Sequence, residues 1–214
     1  MGKLMKAEFY KLQKFPSVRL IFLFTLAVGM LRGFSPYSGY QVYTIGLVPE
    51  LFDIVLVSVF TSAFLCTEFS RRTFGNAVLC GTSRQYVFLA KLAVYFPALL
   101  VLILLPLVVS TSVATMRNGF GADTDVLALE MTGKLLFYIC HRFSMAGFAI
   151  LVASVIRNSI GTLGISMAGM YLMSFSQNSV KNLLTQDDTL TVSIIKMIIL
   201  LSAAIMIFIR RDLK

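Results

Sequence analysis

Charge is scarce in this chain: 14% of its 214 residues are Asp, Glu, Lys or Arg, against roughly 25% in soluble domains. Acids are scarcer than bases, 10 against 19, and there is one histidine and there are three cysteines. Each shortage excludes something. His141 has no His or carboxylate three or four residues away, so a metal pair on one helical face is ruled out. Cys66 and Cys80 lie towards the end of one apolar segment and in the loop after it, while Cys140 lies inside another. We read all three as packing residues rather than disulfide partners. No G-x-x-x-x-G-K-[ST] phosphate loop occurs, so the chain does not itself hydrolyse a nucleotide. The adjacent acids Asp187 and Asp188 read as a solvated charge cluster, not a metal or acid pair. No catalytic residues and no metal ligands are assigned.

What is abundant is apolar surface: 57% of residues are hydrophobic and the mean hydropathy is +0.84. These values predict an all-α membrane protein. At about 20 residues per crossing the length accommodates roughly six spans and leaves no room for a separate soluble domain. A window of about 19 residues places them at Val18 to Phe34, Val48 to Thr67, Gln85 to Ala114, Leu135 to Ile156, Ile160 to Ser176 and Val192 to Ile209. The third is over-long and contains Pro97 and Pro106, which predicts one kinked or tilted helix. The whole chain, 1–214, is read as a single transmembrane domain.

Charge placement predicts orientation. With six spans, both termini, the loop from Glu68 to Arg84 and the Arg157 turn share one side. That side carries Lys3, Lys6, Lys11, Lys14, Arg19, Arg71, Arg72, Arg84, Lys91, Arg157, Arg210, Arg211 and Lys214, against Glu8, Glu68 and Asp212. By the positive-inside rule it is the cytoplasm. The net charge of +9 is then a topology signal, and a nucleic-acid partner is excluded.

Ahead of the first span, residues Lys3 to Phe15 wind into an amphipathic helix. Leu4, Met5, Phe9, Leu12 and Phe15 share one arc and Lys3, Lys6, Tyr10, Gln13 and Lys14 the other, with Glu8 as the exception. This predicts an interfacial elbow whose lysines face anionic membrane lipid, each worth about 1 kcal/mol near the surface. In the loop that follows the second span, Thr73 to Cys80 can form about two helical turns. Gly81 suits its C-cap and Ser83 the next N-cap. So short a helix needs a partner. Glu68 stands three and four residues before Arg71 and Arg72, where an ion pair could brace the exit of the span.

Within the fourth span, His141 and Arg142 fall roughly 10 to 12 Å below the outer interface, counting about 1.5 Å per residue from Lys134. An arginine at bilayer depth costs about 2.5 to 3.5 kcal/mol, so it must face protein, water or a partner charge. Asp53 is the nearest candidate. Two readings stand: His141 and Arg142, with Asp53, line the outward end of a translocation path, or Arg142 and Asp53 form a structural bridge. Small residues on the fourth and fifth spans (Gly147, Ala149, Ala153, Ser154; Gly161, Gly164, Ala168) predict a close helical hairpin. Met145, Met167, Met170 and Met173 read as packing or as an adaptable apolar lining.

Taken together, the basic elbow with Glu8 and Lys11, then Glu68, Arg72-Thr73, Leu79, the turn Gly81-Thr-Ser83-Arg84, Lys91 and the closing Arg210-Arg211-Asp212 resemble the permease subunit of type 2 ABC exporters. That group includes small transporters for bacteriocin immunity and peptide export. The resemblance implies that 73–83 is a coupling helix seated on a separate cytoplasmic ABC ATPase. Glu68, Arg71, Arg72, Thr73, Leu79, Ser83 and Arg84 would form the coupling site. It further implies a bacterial plasma-membrane location, pairing with a second copy or a related permease, and export of hydrophobic or antimicrobial peptides. The chain would bind no cofactor of its own, with ATP and Mg on the partner subunit. Here the extracellular segment Gln177 to Thr191 is shorter than in many such relatives. The alternative class is an ATP-independent carrier or a membrane enzyme acting on lipid-like substrates. A carrier would show inverted repeats or broken ion-binding helices, which this sequence does not offer.

Overall fold

A computed structural model describes residues 2–47, 51–66, 84–121, 124–156, 158–181 and 186–210. The expected coupling helix 73–83, with Glu68, Arg71, Arg72, Thr73, Leu79 and Ser83, lies outside the described residues. All regular structure among the described residues is helical. In chain order the helices are α1 (Gly2–Lys14), α2 (Pro16–Gly33), α3 (Gly39–Gly46) and α4 (Leu51–Thr61), which runs on as one π-helical turn, Ser62–Cys66. Then follow α5 (Arg84–Asn118), α6 (Thr124–Ile156), α7 (Ser159–Lys181) and α8 (Gln186–Arg210).

Local sequence accounts for several boundaries. Pro16 occupies the first turn of α2, where its missing N–H costs no hydrogen bond, and so separates it from α1. Ser38 and Gln41 form a reciprocal capping box, Gln41 N donating to Ser38 Oγ at 3.4 Å and Ser38 N to Gln41 Oε1 at 3.2 Å. That box starts α3 inside what the hydropathy pattern left as a connection. Helix α5 is one 35-residue helix with Pro97 and Pro106 inside it. At about 1.5 Å per residue it is about 52 Å long, well beyond the ~30 Å hydrocarbon layer.

Among the described residues three helical stretches are long and apolar enough to cross a bilayer: Pro16–Gly33, Tyr86–Asn118 and Glu130–Ile156. A fourth is added if α3 and α4 together count as one bent span. The remaining two expected spans correspond to α7 and α8. Helix α7 carries Gly161, Thr162, Gly164, Ser166 and Gly169 among its apolar residues, and α8 is a 25-residue helix whose described apolar stretch runs over Thr191–Ile207.

Helix α4 is the centre of the core. Ile54, Val57, Phe60 and Phe64 are buried against Tyr95, Leu99 and Leu102 of α5, Met145, Ala149 and Ile150 of α6, and Met170 of α7. Helix α2 meets α5 along a glycine seam. A Cβ on Gly29 would lie 2.9 Å from Pro106 Cα, and one on Gly33 would lie 2.6 Å from Val113 Cβ. This is the small-xxx-small contact of membrane helices. Helix α6 packs most extensively against α8, with Gly147 facing Leu200. The expected close approach of α6 and α7 is realised where the Phe148 ring of α6 lies on Gly169 of α7, while Gly164 faces open space.

The surface inverts the soluble pattern. Leu20, Leu23, Phe24 and Leu31 of α2, Ile160 and Leu172 of α7, and Ile195, Ile198 and Ile199 of α8 are exposed. Glu8, Asp53, Lys91, His141 and Arg142 are buried. Large apolar faces outward and charges inward are costly in water and compatible with a membrane protein.

Candidate functional site

Among the described residues two buried ion pairs organise the interior, one near the middle of α6 and one at the start of α5. The first joins α4 to α6. Asp53 lies in the first turn of α4, where the positive helix end favours an acid. Arg142 lies near the middle of the apolar stretch Glu130–Ile156. Arg142 Nη2 donates to Asp53 Oδ2 in a salt bridge. The guanidinium also lies 4.7 Å from the Tyr138 ring centroid, and Nη1 approaches Met145 Sδ at 3.7 Å. Arg142 is fully buried and Asp53 is 2% exposed. The requirement that an arginine at this depth meet a charge is therefore satisfied inside a single chain. His141 is buried beside the pair, stacked on Phe137 at 6.1 Å between ring centroids.

The second pair joins α1 to α5. Lys91 Nζ donates to Glu8 Oε2 at 2.9 Å, and Lys11 Nζ donates to the other oxygen, Oε1, at 2.7 Å. Lys91 is 1% exposed and Glu8 5%. Burial alone would raise the Glu8 pKa, but Lys91 and Lys11 more than offset it and hold the carboxyl below its usual range. Glu8 thus sits at the centre of the docking face of α1, between Leu4 and Leu12, which pack on the core. Met5 and Phe9, expected on the same arc, are instead exposed beside it.

Lys91 has a third neighbour. Its ammonium lies 5.4 Å from the Phe64 ring centroid, in the π-helical turn that ends α4. Phe64 stacks with Phe60, and Phe60 with Tyr95, at 5.9 and 5.2 Å. Tyr95 shares a 2.7 Å hydrogen bond with Thr61. On the far side of the same turn, Ser62 Oγ donates to the Ser159 carbonyl at 2.9 Å and Cys66 Sγ to Thr162 Oγ1 at 3.3 Å. The chain segments entering and leaving the basic loop therefore meet at Lys91, and they are tied to α1 and to the start of α7.

Of the residues singled out by sequence, Asp53, His141 and Arg142 come together. Arg84 opens α5, and Glu68, Arg71, Arg72, Thr73, Leu79 and Ser83 lie outside the described residues. The Glu8–Lys91 pair was not foreseen. Its signals were a lone acid in an otherwise basic amphipathic helix and a lone charge in the apolar run from Gln85 to Ala114. Among the described residues no group of three His, Cys, Asp or Glu side chains is placed to hold a metal. No family model, curated protein or solved structure matches the chain.

Proposed function

We propose that this chain is the membrane-spanning subunit of an ATP-driven exporter, and that the loop from Glu68 to Arg84 is where a separate cytoplasmic ABC ATPase takes hold. In this reading six helices cross the bacterial plasma membrane with both termini inside. Two copies, or this chain and a related permease, enclose the path of a hydrophobic or amphipathic peptide. ATP and Mg belong to the partner.

The observation that carries the proposal is the convergence on Lys91. A loop meant to receive force must pass it to the membrane helices without being absorbed in slack. Phe64, four residues before the loop, and Glu8 of α1 are both fastened to Lys91, seven residues after it. A push on the loop then displaces α1, the end of α4 and the start of α5 as one body, and Ser159 and Thr162 pass it to α7. The Asp53–Arg142 bridge lies further along α4 and α6 and is the polar element such a motion would reach. Opening it would expose a paired charge to the path, which fits a gate better than a static brace.

Co-expression with the ATPase encoded beside this chain tests the proposal. A stable complex is expected, with ATPase activity stimulated by candidate peptides. Replacing Glu68 and Arg72 should abolish ATP-dependent transport; transport that survives this double replacement contradicts the coupling role.

A further inference from the structure

Between α1 and the first half of α5 lies an open groove of about 480 Å³ lined by Met5, Phe9, Tyr10, Val94, Pro97 and Ala93, with Lys6 and Gln13 at its edge. Its size falls within the roughly 300–1,000 Å³ typical of small-molecule sites. We propose that this groove is a binding site for one anionic phospholipid, taken up by its headgroup at Lys6 and Lys14 and by an acyl chain along Met5, Phe9 and Pro97.

Three features select that occupant. The floor is apolar: Phe9 is 54% and Met5 37% exposed, although both belong to a helix that buries Leu4, Glu8 and Leu12 against the bundle. These two side chains are turned to the surroundings, not to the core. The rim is cationic. Glu8, the one acid of α1, is already engaged by Lys11 and Lys91, so Lys6 and Lys14 supply positive charge that no acid among the described residues offsets. Lys14 lies over the Tyr10 ring at 5.3 Å, and Arg19 Nε donates to the Gln13 carbonyl at 3.0 Å, which holds a guanidinium beside a groove-lining residue. The third feature is the backbone. Pro97 has no N–H to offer the carbonyl of Ala93, one turn earlier, and both line the groove. A headgroup hydroxyl of phosphatidylglycerol can supply that missing donor. A cationic amphipathic peptide would meet the same charge sign at the rim and is disfavoured. The site requires only that α1 lie at the bilayer surface and does not depend on the exporter reading.

Native mass spectrometry of the full chain, released from detergent with equimolar dioleoyl phosphatidylglycerol and dioleoyl phosphatidylcholine, tests the assignment. One phosphatidylglycerol per chain should be retained in preference. Lys6→Gln with Lys14→Gln should reduce that preference at least fivefold while the melting temperature in detergent stays within a few degrees of the wild type. Phe9→Ala should weaken retention of both lipids alike. Equal retention of the two lipids by the wild-type chain overturns the proposal. So does an unchanged preference in a folded Lys6→Gln, Lys14→Gln variant, or displacement of the lipid by a cationic amphipathic peptide.

Discussion

The two buried ion pairs differ in how many opposite charges meet Glu8 and Arg142, and the difference separates a brace from a hinge point. Glu8 is held by two lysines, one enclosed and one 48% exposed at its side chain. It can lose one partner and still be paired. Arg142 meets one carboxylate, with an aromatic ring and a thioether filling the remaining space. Among the described residues it has no second acid to fall back on. A redundant pair at the edge of the bundle suits a contact that must hold while its neighbours move. A single pair near mid-helix suits a contact whose loss changes the state of the protein, because desolvated charges left alone are expensive.

The largest expected effect breaks the second pair. Asp53→Ala removes the carboxylate that the buried Arg142 meets and should destabilise the protein by about 3–5 kcal/mol. The double replacement Asp53→Leu with Arg142→Met should recover most of it, as read by thermal unfolding in detergent. A single variant as stable as the wild type would remove the distinction drawn above. Swapping the two charges adds a functional arm: recovery of folding and of transport together would favour a bridge over a gate.

Next comes Glu8→Gln, which loses a charge-assisted hydrogen bond and should loosen α1 by about 1.5–3 kcal/mol. Hydrogen exchange over residues 2–14 reads this directly. The same helix has a pH signature. Because the folded pKa of Glu8 lies below the ordinary carboxylate value of 4.5, its contribution is fully present above that value. It fades as pH falls through the depressed folded value. Exchange protection of α1 should therefore drop below pH 4.5 in the wild type and be flat in Glu8→Gln.

The glycine seam between α2 and α5 supplies an uncharged reference. Gly33→Ala sets a Cβ 2.6 Å from Val113, and such overpacking costs about 1–3 kcal/mol, with no dependence on pH. A pH-dependent loss in that variant would mean that the seam and the Glu8 cluster are one cooperative unit. The smallest effect belongs to Lys11→Ala, below about 1 kcal/mol, since the lysine is half exposed and Lys91 remains.

Much of this arrangement was legible in one dimension. The break at Pro16, the continuity of α5 through two prolines, and the need of Arg142 for an acid all follow from local chemistry. What escaped did so because it depends on which faces meet. Glu8 and Lys91 are 83 residues apart, and nothing in either segment names the other. Gly29 and Gly33 are spaced as a packing motif, yet only the approach of α5 gives the spacing a meaning. Of the small residues of α6 and α7, Gly147 turns to α8, whereas Gly169 of α7 receives the Phe148 ring of α6. Helix α3 was marked by its Ser38 and Gln41 but hidden by a hydropathy window longer than the helix itself.

The central claim is that Lys91 links the basic loop to α1 and α4 so that the loop can transmit force. Reconstituting the chain with its ATPase in vesicles and comparing wild type with a folded Lys91→Met, Glu8→Leu variant tests it most directly. The account predicts that the ATPase still binds while peptide stimulation of ATP hydrolysis falls at least about 5-fold, the lower end of typical coupling between sites. Undiminished stimulation in that variant would contradict it.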